Sequence, residues 1–217
     1  TWVHRRRVKS AHATAVIAGD RQLSYPELAE RIDRASTALA DRGVGFGDRV
    51  AFLGVNSPEF LEVLFACGQL GAIMVPLNVR LTAAELAFQV DDAGASLAVV
   101  DPDLEHLIPP AVPRLVIGTS YDAALAGVSP EHPRITVSLD DPAVILYTSG
   151  TTGHPKGAVL THGNLTWNCI NVLVDYDVTS LEVALIMSPL FHAASLGMGA
   201  LPTLLKGGTL VLQPRFD

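Results

Sequence analysis

The sequence predicts an α/β fold in which mainly parallel sheets are flanked by helices. Three observations carry the prediction. Short β-branched runs alternate with longer segments of helical periodicity, and parallel strands need a crossover connection of that length. The helical segments are punctuated at both ends by residues that start and stop helices. With 217 residues, 49% hydrophobic and 17% charged, the chain also has enough apolar material to bury such a core.

The elements follow in order. In LSYPELAERIDRASTALADRG, Ser24 and Glu27 stand at capping-box spacing, Pro26 falls in the first turn, and Gly43 sits where a helix end needs positive φ. Leu28, Ile32, Ala35 and Leu39 then share one face. RVAFLGV, residues 49–55, reads as a strand, and NSPEFLEVLFACGQLG starts a second helix with Ser57 as N-cap and Pro58 as its first residue. AIMVPL is the next strand. LTAAELAFQVDDAG repeats the helix signals with Thr82, Glu85 and a stop at Gly94, before the strand SLAVV at 96–100. From residue 101 to 141 the rhythm weakens. Several prolines, the strand-like RLVIG and a short Ala-rich helix predict a peripheral excursion or subdomain edge there. AVILYT and GAVLTH then bracket a Gly-rich loop as two buried strands, and THGNLTWNCINVLVDY reads as a helix begun near Thr161 or His162. The remainder reads as strand, loop, buried helix and strand.

A formal charge of −7 argues against nonspecific nucleic-acid binding, which depends on clustered Lys and Arg. The basic cluster Arg5-Arg6-Arg7 with Lys9 is expected to be a solvated helix face or a frayed terminus. Cys67 and Cys169 lie in apolar stretches without C-x-x-C spacing, as small core residues of a reducing compartment would, so a cytoplasmic location is expected. No apolar segment follows the first basic residues, so no signal peptide is read; the chain does not begin with Met, which leaves its true terminus open. Residues 183–205 carry no formal charge and reach the length of a membrane span. Pro189, Pro202, glycines and a histidine interrupt them, and a buried strand plus helix is the better reading.

YTSGTTGHPKG, residues 147–157, packs five hydroxyl-bearing side chains, three glycines and one lysine into eleven residues. Glycine lets backbone N–H groups point at a ligand, the hydroxyls add donors where phosphate oxygens would lie, and Lys156 supplies a mobile positive charge. A plain turn gains nothing from Thr148, Ser149, Thr151 and Thr152 in near succession. The hydrolase P-loop, G-x-x-x-x-G-K-[ST], is excluded. Pro155 precedes Lys156 and Gly157 follows it, so the hydroxyl that would hold Mg²⁺ is missing, and the loop runs into a strand rather than a helix. The reading is a polyphosphate cradle.

ILYTSGTTGHPKGAVLTHGN closely resembles the phosphate-loop signature of the adenylate-forming superfamily, which includes acyl-CoA synthetases, firefly-type luciferases and the adenylation domains of peptide synthetases. Other amino-terminal blocks of that family occur in the expected order: LSYPELAERIDRASTALADRGVGFGDRVAF, GQLGAIMVPLNVRLTAAEL and, after the loop, SPLFHAASLG. The resemblance spans nearly the whole chain. It implies the amino-terminal portion of the large domain of an adenylate-forming enzyme, and a two-step reaction. A carboxylate attacks the α-phosphate of ATP to give an acyl-adenylate and pyrophosphate, then a thiol, usually coenzyme A, displaces AMP. Displacement at phosphorus is catalysed mainly by positioning and by offsetting negative charge, which the donors of the loop would supply. The resemblance assigns Thr148, Ser149, Gly150, Thr151, Thr152, Gly153 and Lys156 to the β- and γ-phosphates. Mg²⁺ is expected beside ATP, with no ligand for it identified in this sequence.

In the amino-acid-activating relatives an Asp commonly follows the Phe of the last block and pairs with the substrate ammonium. Here the position is His192, which offers an ammonium no partner, and its neighbours Leu190, Phe191, Ala193, Leu196 and Met198 are apolar. Taken alone, His192 would read as a core histidine. Within the block, Phe191 and His192 are placed beside the pocket of an acyl or aryl carboxylate, with a fatty acid as the expected substrate. His154 is expected to face solvent, Trp167 to lie in the core, and Arg80 to be a surface or interdomain residue with no assigned role.

Family members carry further blocks: Y-G-x-T-E, whose aromatic contacts adenine and whose Glu holds Mg²⁺, an Asp for the ribose, a hinge, and a small carboxyl-terminal domain with the catalytic Lys. None has a counterpart up to Asp217. Residues 1–217 are therefore expected to be an incomplete amino-terminal domain, with 1–140 as a first α/β part and 141–217 as the phosphate-loop and acyl-pocket segment. The parent would be a fatty-acid–CoA ligase-like enzyme whose catalytic Lys lies outside this chain. Two alternatives stay open. One is a noncatalytic nucleotide-binding or interaction module from a truncated gene; the other is an enzyme that hands its acyl-adenylate to a carrier protein or oxidises it. The expected partners are a small carboxylic acid, ATP and CoA, with no nucleic acid and no membrane span. Peripheral membrane contact and oligomerisation are left open.

Overall fold

A computed structural model describes residues 1–131, 135–148 and 155–214. The first half runs α1 (Trp2–Lys9), β1 (Thr14–Ala18), β2 (Arg21–Ser24), α2 (Tyr25–Ala40), β3 (Arg49–Leu53), α3 (Pro58–Leu70), β4 (Ile73–Pro76), α4 (Ala83–Ala93) and β5 (Ala95–Val100). The second half runs β6 (Arg114–Val116), α5 (Ser120–Ala126), β7 (Pro142–Thr148), β8 (Lys156–Thr161), α6 (His162–Asp175), β9 (Val183–Ile186), α7 (Leu201–Lys206) and β10 (Thr209–Leu212). A short 3₁₀ helix covers Pro102–Leu107, and one turn of π-helix, Ser195–Ala200, leads into α7.

Most of the local helix signals fold as they read. Ser24, Thr82 and Thr161 each form a capping box, with Glu27, Glu85 and Asn164 respectively, so two otherwise unpaired N–H groups are satisfied at each helix start. Gly94 ends α4 in the left-handed region at φ +61°, where a side chain would be strained. Ser57 precedes α3 in extended conformation, but its side chain makes no capping bond. Helix α2 stops at Ala40, and Gly43 takes its positive φ in the turn beyond.

The strands form a six-stranded sheet, in the order β6-β5-β3-β4-β7-β8, and a four-stranded sheet, in the order β2-β1-β10-β9. Pairing is parallel except for β7 with β8 and β1 with β2, so the mainly parallel expectation holds and one edge strand of each sheet is antiparallel. The larger sheet is covered on both faces. Val50, Phe52, Met74, Leu97 and Val99 enter the core shared with α2 and α3, while Ala51, Leu53, Val75, Ala98 and Val100 enter a second core with Leu86 and Val90 of α4. Successive side chains of a strand point to opposite faces, which is why these strands read as near-continuous apolar runs. Leu28, Ile32, Ala35 and Leu39 of α2 are fully buried on one helix face, as their spacing requires.

Other expectations need correction. The hairpin of β1 and β2, turned by Gly19 and Asp20 with Gly19 at positive φ, was not read from the sequence, and β1 also pairs in parallel with β10, so residues near the start and near the end of the chain meet in one sheet. Buried Tyr25 reinforces the junction by donating to the carbonyl of Gly208 at 2.6 Å. The basic cluster is only partly solvated: it forms α1, and Arg6 donates twice to the carbonyl of Leu205, at 3.0 and 2.7 Å, at the end of α7. The region from 101 to 141 supplies β6, an edge strand of the larger sheet, as an edge reading requires, but it is not simply peripheral, because Tyr121 of α5 is fully buried. Strand β8 was expected to be buried and is an exposed edge strand, since nothing described covers its outer side. Strand β9 is likewise an edge, with Val183 and Leu185 exposed. Trp167 of α6 is 61% exposed rather than in the core.

Cys67 and Cys169 are free and buried, and burial pushes both thiols up to about 12. Among the described residues, no helix is long and apolar enough to cross a membrane.

Candidate functional site

Of the residues assigned to the phosphates, Thr148 and Lys156 are described and stand opposite one another at the ends of β7 and β8. Both are exposed, and the Thr148 hydroxyl makes only a long 3.5 Å bond to the Lys156 carbonyl, which leaves the hydroxyl and the ammonium available to a ligand. Ser149, Gly150, Thr151, Thr152, Gly153 and His154 lie outside the described residues.

The stems of the loop are braced by packing. Tyr147 donates to the Asp92 carboxylate at 2.6 Å and to the carbonyl of Gln89 at 3.2 Å, tying the end of β7 to α4. Partial burial, then the Asp92 hydrogen bond, raises the Tyr147 hydroxyl above its ordinary value and keeps it a donor. Gly157 is required for close approach: a Cβ there would lie 2.7 Å from Ile145 Cγ2. The residue after Lys156 is thus held to glycine by strand packing as well as by any ligand.

The acid-pocket block follows β9. Phe191 is buried and His192 is exposed, with ring centroids 4.6 Å apart. Leu190 and Leu196 are buried beneath them, while Ala193 and Met198 face outward. The π turn packs against α6, where Asn168 donates to the carbonyl of Gly197 at 2.7 Å. Single π turns inside helices recur at functional sites. A Cβ at Gly197 would stand 2.9 Å from that Asn168 amide, so the contact depends on glycine.

A cavity of about 540 Å³ opens at the carboxyl ends of β3, β5, β9 and β10, where ligands of parallel sheets commonly bind. Asn56, Arg80, Asp101, Met187 and Phe191 line it. Neither His192, Thr148 nor Lys156 is among its lining residues, so of the candidate residues that are described only Phe191 reaches this cavity. Burial raises the Asp101 carboxyl above the ordinary range, although the N–H of Val55, at 2.8 Å, partly holds it down.

Asn56 and Asp101 escaped the sequence reading. Asp101 directly follows β5 and Asn56 lies three residues beyond β3, and that position after a parallel strand was the available signal. His162, expected only to begin a helix, does so, and it also borders a cavity of about 340 Å³ with Trp2, Phe65 and Gln69. Among the described residues, no group of three His, Cys, Asp or Glu is arranged to hold a metal ion.

Comparison with known proteins gives this geometry its context. The chain is 52% identical over its whole length to a feruloyl-CoA synthase from an Amycolatopsis species, and it covers 44% of that protein. It superposes with a TM-score of 0.92, at 30% identity, on the inhibitor-bound N-terminal domain of FACL13 from Mycobacterium tuberculosis, covering all of this chain and 57% of that one. ATP-bound MatB from Rhodopseudomonas palustris matches with a TM-score of 0.87 and 34% identity, over 95% of this chain and 43% of that one. The chain thus spans less than half the length of the curated relative it matches. The family model for AMP-binding enzymes matches residues 3–217, and the chain belongs to that family.

Proposed function

We propose that the protein carrying this chain is an ATP-dependent acid–CoA ligase acting on an aromatic carboxylic acid of the feruloyl kind. The observation that carries the reading is the 52% identity with a feruloyl-CoA synthase over the whole chain. It favours an aryl acid over the fatty acid expected from the sequence. A fatty acid is the second reading, favoured by 33% identity, over 91% of this chain, with a long-chain-fatty-acid–CoA ligase of Mycobacterium tuberculosis.

In the first step a carboxylate oxygen bonds to the α-phosphorus of ATP, the bond to the bridging oxygen breaks, and pyrophosphate leaves with its electron pair. Thr148, Lys156 and the residues between them, Ser149, Gly150, Thr151, Thr152 and Gly153 included, hold the β- and γ-phosphates and offset the charge that develops there. The thiol of coenzyme A then attacks the acyl carbon and releases AMP. Phe191 and His192 border the acid. Mg²⁺ accompanies the nucleotide phosphates; the described residues offer no cluster for it, and no step is assigned to it. Residues 141–217 would form the phosphate-loop and acyl-pocket segment of a larger domain. The buried free thiols support a cytoplasmic location.

Pyrophosphate exchange into ATP by the full-length protein tests the reading. Exchange that depends on an added aryl acid is the expected result. No exchange across aryl, short-chain and long-chain acids would overturn the ligase reading, and exchange with alkyl acids alone would overturn the aryl preference. Lys156→Ala should slow adenylate formation at least tenfold, by roughly the 1.4 kcal/mol that one charge-assisted hydrogen bond can supply. Unchanged adenylation would remove Lys156 from the cradle.

A further inference from the structure

Asn56 lies three residues beyond β3 and is buried, and none of its side-chain hydrogen bonds goes to β3 or α3. Its side-chain amide reaches across to residues far along the chain. Nδ2 donates to the carbonyls of Ser188 and Gln213, both at 3.0 Å, with a longer 3.5 Å contact to the carbonyl of Ile186, and Oδ1 accepts from the N–H of Leu190 at 2.7 Å. Both amide protons and the carbonyl oxygen are therefore used, and all of these partners are backbone groups. The Ser188 carbonyl takes a second bond, from the Ser195 hydroxyl at 2.7 Å. Residues 188–195 form a closed turn drawn tight at its base, and the N–H of His192 bonds the Pro189 carbonyl at 3.1 Å within it. In the middle of that turn Phe191 is buried and His192 is exposed.

We propose that Asn56 is a positioning residue that sets the placement of Phe191 and His192 against the acid substrate. The inference rests on the ligase reading above and deepens it, because it assigns the orientation of the acid pocket to a residue outside the pocket block. An amide suits the position for a chemical reason. It alone among small side chains presents two donors and an acceptor in one plane, matching two carbonyls and one N–H. A carboxylate of the same shape would keep the bond from Leu190 and set an oxygen against the carbonyls of Ser188 and Gln213. The Phe191 end of the turn would stay held while the Ser188 end was pushed away.

The test uses the full-length enzyme with the acid that supports exchange. Asn56→Asp should raise the apparent KM for the acid about tenfold while the KM for ATP stays within about twofold, and Ser195→Ala should raise the acid KM about threefold. Ser195→Ala removes one bond at the partly exposed side of the turn, so it keeps the inference open to refutation if Asn56→Asp does not fold. Leu28→Ala, a cavity in α2 far along the chain from the turn, serves as the structural control. It should lower the unfolding temperature without separating the two KM values. Acid KM values unchanged in both turn variants, or acid and ATP KM values rising together as in a general loss of structure, would overturn the inference while leaving the ligase reading intact. No acid-dependent exchange by the unsubstituted enzyme would overturn both.

Discussion

The segment from α3 through β4 and the segment from β8 to the π turn are similar in apolar content but opposite in exposure. In α3 nearly every residue is buried, the carboxylates Glu59 and Glu62 included, and every residue of β4 is buried. Along the other segment Val159, Trp167, Val183 and Met198 are exposed. The first carries stability and the second presents the candidate site. Hydrophobicity by itself therefore does not tell a core strand or helix from one that faces a ligand or further protein; the position in the sheet order does.

Buried charge sharpens the contrast. Glu62 is fully buried and is held by the Arg31 guanidinium, with a second contact at 3.1 Å, and by the Tyr121 hydroxyl at 2.9 Å. Burial raises its carboxyl, and the Arg31 hydrogen bond and charge oppose that rise. Such a cluster links α2, α3 and α5 in a way the exposed segment has no equivalent for among the described residues.

The largest effect should come from breaking that cluster. Arg31→Met strands a buried carboxylate and should cost about 3–5 kcal/mol in urea unfolding; a loss below about 1 kcal/mol would show that the cluster does not anchor the core. Leu61→Ala, which removes a fully buried side chain of α3, should cost about 2–4 kcal/mol by the same measurement.

The pH dependence comes next. Burial lowers the His162 pKa below its ordinary value, against a smaller opposing contribution from Asp141. Above about pH 6.5 the imidazole is neutral in both states and its contribution is fully present. As the pH falls below that value the unfolded chain takes the proton first, and stability declines until the folded-state pKa is passed. The urea midpoint should therefore fall more between pH 7.5 and 5.5 in the native protein than in His162→Gln, and equal falls would exclude this histidine as the source. The smallest effect is expected at Trp167. Trp167→Ala should change stability by no more than about 0.5 kcal/mol, and a loss of several would erase the contrast between the two segments.

Helix starts, the glycine stop of α4 and the strands of the larger sheet were legible because each depends on residues within a few positions. The capping boxes at Ser24 and Thr82 are of this kind. The loop chemistry of 147–157 was legible for the same reason, since its hydroxyls, glycines and lysine are contiguous. The burial of β8 and Trp167 was misread because an apolar pattern shows which side chains could be covered and not whether anything covers them. The role of Arg6 was misread because its partner, Leu205, is 199 residues away.

The sequence by itself determined the AMP-binding family membership, the α/β class and the composition of the phosphate loop, all of which are written in short contiguous blocks. Tertiary structure alone decided that β1 pairs with β10, that β8 and β9 are edges, and that Asn56 closes the turn bearing Phe191 and His192. The first and last of these follow from contacts between residues more than a hundred positions apart, and the second from the order in which the strands line up in the two sheets. Their energies depend on which backbone groups the fold brings together, and no local pattern records that.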